Sequence, residues 1–180
     1  NEVTAAAAAI LAASLSTSTR SILESTGQAA AAAIKNGYST LAATTAGEAV
    51  LLLMELGASE DEAVAAASVA AQRVNGGYST AEAISRATSK FQQIVALKNT
   101  VKQTLQADIN LIPTSIDIAE AVILELLAEG ESDTVATHAA IVSSRLVTHG
   151  CSEYAALNAV KIVDDLIQLG YSNDAIDAAV

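Results

Sequence analysis

Side chains able to do nucleophilic, acid–base or metal chemistry are scarce in this 180-residue chain. His138 and His149 are its only histidines, and Cys151 its only cysteine. The histidines stand 11 residues apart, about three helical turns, so one helix face could carry both. A metal or proton-transfer site there would need Asp, Glu or Cys converging on them. His149 precedes Gly150-Cys151, which makes a thiol–imidazole pair the one nucleophilic arrangement on offer, but no third group is evident to orient it. His149 reads more simply as a cation in the last turn of a helix, a position the helix dipole favours. Three readings stand open for Cys151: a small buried residue in a turn, an intermolecular disulfide, or a nucleophile.

The carboxylates cluster at Glu60-Asp61-Glu62 and Asp164-Asp165. One reading is a first turn that complements the helix dipole plus a solvated face. The other is a pH-sensitive surface whose protonation relieves repulsion and lets chains meet. No P-loop, GxGxxG, GxSxG, HExxH or CxxC pattern is present. The sequence therefore predicts no enzyme, no cofactor and no metal ligands.

The positions that organise the chain are glycines and serines. Gly-x-Ser recurs every 20 residues as Gly37–Ser39, Gly57–Ser59 and Gly77–Ser79, and the triplet returns 93 residues later as Gly130–Ser132, Gly150–Ser152 and Gly170–Ser172. Glycine just past a helix takes the left-handed conformation cheaply, so the last carbonyls can be capped. Serine as N-cap accepts a bond from an amide of the next helix. Each tripeptide is thus a helix stop followed at once by a start, often with acid in the new first turn, as at Asp133, Glu153 and Asp174. About 17 residues remain per helix, roughly 25 Å of length, and turns this short fold neighbouring helices back on one another. Internal repetition of this kind sets architecture before other arguments.

The expected fold is an all-α bundle of two similar halves, residues 1–93 and 94–180, built from roughly 20-residue helix-turn units. Helices are expected over 3–25, 28–35 after a break near Gly27, 40–56, 60–75, from Thr80 to about Asp108, then 115–129, 133–149, 153–169 and 173–180. The one from Thr80 either bridges the halves or is interrupted near Ser89. Pro113 marks a stop before a new cap. Ser14, Ser16, Thr17, Ser18 and Thr19 compete for the backbone of the first helix. Apolar stripes run through Val122, Ile123, Leu126 and Leu127, through Leu157, Val160, Ile162, Val163, Leu166, Ile167 and Leu169, and through Val50, Leu53, Met54 and Leu56.

Apolar content of 52% suffices for a core, and with only four Tyr, one Phe and no Trp that core requires closely approaching helices. A net charge of −11 with nine scattered Lys and Arg argues against nucleic acid, whose binding depends on cations displacing counterions. No stretch is long and apolar enough to span a bilayer. The Ala5–Leu15 run has the apolarity of a signal segment, but no basic residue precedes it and Asn1 is not Met, so it reads as helix in an excised fragment. The short last helix implies a tandem array continuing past Val180. The five-alanine runs Ala5–Ala9 and Ala29–Ala33 read either as strong helix formers or as helices able to convert to stacked strands.

Ala, Ser and Thr richness, helical repeats, poly-Ala runs, acidity and scarce aromatics together resemble the spidroins, the spider silk proteins. The local likeness lies in Gly150-Cys151-Ser152 and the apolar helix ending Asp164-Asp165-Leu166-Ile167-Gln168-Leu169-Gly170, with Ala121 to Gly130 and Thr137 to Val147 in the family's order of helices. It covers about 60 residues. The 93-residue duplication and the missing Gly/Ala or Gly/Pro repeats fit a helical repeat unit or spacer better than a terminal domain. The resemblance implies secretion, concentrated storage, self-association into an extracellular fibre, and a dimerising disulfide at Cys151. The alternative is a helical-repeat protein-binding module presenting a groove, and after it a carrier with an apolar cavity between the halves.

Overall fold

Gly-x-Ser punctuation leaves short amphipathic segments with no strand-forming alternation, and the chain folds accordingly. The computed structural model describes residues 20–106, 112–129, 131–172 and 175–176. Among these lie seven helices: α1 (Arg20–Lys35), α2 (Thr40–Glu55), α3 (Glu60–Asn75), α4 (Thr80–Gln106), α5 (Pro113–Glu129), α6 (Asp133–Thr148) and α7 (Glu153–Gln168). The fold is an all-α bundle of two halves. The chain divides between Gln93 and Ile94 into two compact units, and the division falls inside α4.

In the first unit α2 packs on α1 and on α3, and α1 also packs directly on α3. Small residues make that closeness available: Ala29, Ala30 and Ala33 on α1 and Ala63, Ala66, Ala67, Ala70 and Ala71 on α3 are all buried. Val50 and Leu53 of α2, fully buried, supply the larger volume between them, with about 1.5–3 kcal/mol from burying a side chain such as Leu53. In the second unit α6 packs on α5 and on α7, whereas α5 and α7 meet only marginally. Its core carries Val122, Ile123, Leu126 and Leu127 of α5 with Val160 and Val163 of α7. Lys98 of α4 pairs with Glu120 of α5 at 2.5 Å.

Several expectations need correction. Gly27 does not break a helix but lies inside α1. Ser25-Thr26-Gly27 has turn composition, yet no serine follows at the capping distance, and the Ala29–Ala33 run carries the helix through. An interior glycine costs only about 1 kcal/mol relative to alanine. Helix α4 continues without interruption past Ser89, whose hydroxyl donates to the Ser85 carbonyl. Pro113 opens α5, the first-turn position where a missing N–H costs nothing. The α7 stripe is not all core: Leu157, Ile162 and Leu169 are exposed, Leu169 to 74%. Leu56 of the third stripe is exposed too. The Ser14–Thr19 cluster, the Ala5–Ala9 run and most of the helices expected at the two ends lie outside the described residues.

Candidate functional site

The Gly-x-Ser positions form the most regular construction in the molecule. Gly37, Gly57, Gly77, Gly150 and Gly170 have φ between 77° and 93°; Gly130 lies outside the described residues. At Gly57 the glycine amide donates to Met54 O and the Ala58 amide to Leu53 O, the two bonds of a Schellman cap. Equivalent pairs stand after α1, α3, α6 and α7, and Glu131 N bonds Leu126 O after α5. Every serine then caps the next segment: Ser39, Ser59, Ser79, Ser132, Ser152 and Ser172 accept from Ala42, Glu62, Glu82, Val135, Ala155 and Ala175 respectively. Ser59 and Ser79 are reinforced, because Glu62 accepts from the Ser59 amide at 2.8 Å and Glu82 from the Ser79 amide at 3.2 Å. The Ser79 hydroxyl adds a 2.6 Å bond to Glu82. That bond and then the backbone one hold the Glu82 carboxyl below its ordinary value against desolvation, with a lesser contribution from the charge of Arg86.

The residues singled out for chemistry do not converge. His138 is buried in α6, whereas His149 is exposed as the residue that ends it, so the two rings stand in different surroundings. Cys151 is exposed rather than buried, although Ala58 at the matching corner is buried. The Cys151 amide is tied to Leu146 O, but its thiol and the His149 ring share no hydrogen bond, which leaves the nucleophile reading without an activating base. Glu60 accepts from Ser21 and, at 3.2 Å, from Ser25, so it joins α3 to α1. Glu62 closes a cap, and Asp164 accepts from Gln168 at 3.0 Å. Among the described residues no three His, Cys, Asp or Glu side chains stand close enough to hold a metal ion, and no helix is long and apolar enough to cross a membrane.

No protein-family model, curated protein or solved structure matches the chain.

Two features escaped the sequence reading. The first is a groove of about 300 Å3 between α5 and α7 in the second unit, with Leu126, Leu157 and Val160 along it and Glu125, Glu131, Tyr154, Lys161 and Asp164 around them. The second is a patch in the first unit where Arg73 and Tyr78 meet Glu82, Ser85 and Arg86 of α4. There the Arg73 guanidinium lies 5.1 Å from the centre of the Tyr78 ring. The signal for both was side-chain size and charge at positions matched by the 93-residue offset, legible only once the packing partners are known.

Proposed function

We propose that this chain is a structural unit of a secreted, silk-like, fibre-forming protein, soluble while stored and associating with like units outside the cell. The reading is supported above all by apolar surface kept in an acidic protein: Tyr154, Ile162, Leu169 and Tyr171 are all more than half exposed on a chain of net charge −11. Charge of that size holds molecules apart in solution, and its removal leaves exposed apolar area free to associate. Capped helices with alanine faces supply the folded, storable form.

Light scattering and circular dichroism from about pH 7.5 down to about pH 4.5, with and without shear, test it, since Asp and Glu protonate across the lower part of that range. Growth in particle size on acidification, with or without gain of β-structure, is the expected result. A particle that stays small and helical throughout would remove the assembly reading. The second reading, a helical-repeat protein-binding module, is favoured by one observation, the groove between α5 and α7.

A further inference from the structure

The groove and the arginine patch are complementary in charge and in chemical kind. Around its apolar floor the groove carries three acids, Glu125, Glu131 and Asp164, against one base, Lys161. What suits such a site is an apolar body flanked by cations. The chain has nine basic residues, and two of them, Arg73 and Arg86, share the patch with Tyr78. Tyr78 follows Gly77 at the corner after α3, and half of its surface is exposed. Its ring, with Arg73 laid over it, offers apolar area bearing positive charge. Glu82 in the same patch gives Lys161 an acidic counterpart. Tyr and Arg are also the residue types that dominate binding energy at protein interfaces.

We propose that the groove between α5 and α7 receives the Arg73–Tyr78–Arg86 corner of a second copy of this chain. The two surfaces are different patches of the chain, so the contact is heterologous: the groove of one molecule takes the corner of another. Repeated, such a contact closes into a ring or extends as an open filament. The inference rests on the self-association reading and names the faces that would carry it.

Two variants of the full chain test it by sedimentation over a concentration series, with circular dichroism confirming that each is folded. Arg73→Glu with Arg86→Glu reverses the corner; Glu125→Lys with Asp164→Lys reverses the groove. Each variant alone is expected to associate roughly tenfold or more weakly than the parent chain. Mixed in equal amounts they should recover association, because the reversed corner of one then meets the reversed groove of the other. Lys35→Glu with Lys102→Glu, two exposed positions outside the patch, makes the same change in net charge as the corner variant and should leave parental association nearly intact. Loss of association in that control equal to the corner variant's, or failure of the mixture to recover, overturns the proposed contact. If the parent and all variants assemble alike, this contact falls while the assembly reading stands. A parent chain that remains monomeric at every concentration and on acidification defeats both.

Discussion

Ala33 of α1 and Ala67 of α3 are buried; 93 positions later the residues are Leu126 and Val160, which are buried too but border a groove between α5 and α7. Ala71 is likewise buried on α3, and its counterpart on α7 is the charged Asp164. The distance between packed helices follows the side chains at the contact. Methyl-sized groups let the first and third helices of one unit touch, and larger or charged groups hold those of the other apart. The Ser21 and Ser25 bonds to Glu60 reinforce the closed unit, and the matching positions Thr114 and Ile118 do not repeat the serine pair. Duplication thus preserved the caps while the faces between them diverged, one filling its interior and the other leaving room for something else.

The sharpest way to break this comparison is to exchange side-chain size. Ala67→Leu forces a branched side chain between α1 and α3 and should cost about 1–3 kcal/mol, read as a lower urea midpoint. Val160→Leu adds a methylene at a buried position bordering the groove, where the open side can take up the extra volume, and should cost less than Ala67→Leu. Equal losses at the two sites would mean that the second unit is as closed as the first. The next effect should be alike in both units. Gly57→Ala and Gly150→Ala each place a Cβ at φ near +90°, where no neighbouring atom lies within 4 Å. The cost is then purely conformational, about 1–2 kcal/mol at each corner, and a marked difference would show that the two corners are not equivalent.

Smaller still are the N-caps. Ser132→Ala should cost about 1 kcal/mol by the same denaturation measurement, and Ser59→Ala somewhat more within the usual range for caps, because Ser59 works with Glu62 in a reciprocal pair and Ser132 does not. The smallest effect separates the units by pH. Glu82 has a lowered folded value, so what it contributes is fully present above the ordinary 4.5 and is lost as pH falls through the folded value. Glu82→Gln should flatten the acid limb of a stability–pH curve in that window. Its counterpart in the second unit is Ala175, which has no such dependence.

The corners were legible in the sequence because their requirement is local: a glycine free to take positive φ, and two residues later a serine oxygen within reach of the third amide. Helix bounds followed, with α3 placed over its full expected range of 60–75. Gly27 was misread because glycine alone does not end a helix without the capping serine and the change of backbone direction. The groove was not legible, since Leu126 and Val160 satisfy a core pattern as well as Ala33 and Ala67 do. Both are buried, and only the distance between α5 and α7 shows that an open groove lies above them. Cys151 was open for a similar reason: its position in the turn fixes its amide, whereas its exposure depends on what packs beneath.

Corners that consume their own backbone polar groups also resist being drawn out. Proteases cut most readily at loop tips they can draw out in extended form. Links such as residues 36–39 and 56–59 have no slack to give: the amides after each glycine are bonded backward, and the serine is committed forward. Cleavage there must wait for a helix end to unravel, so the lifetime of these corners among proteases follows how often they open and not how much of them is on display.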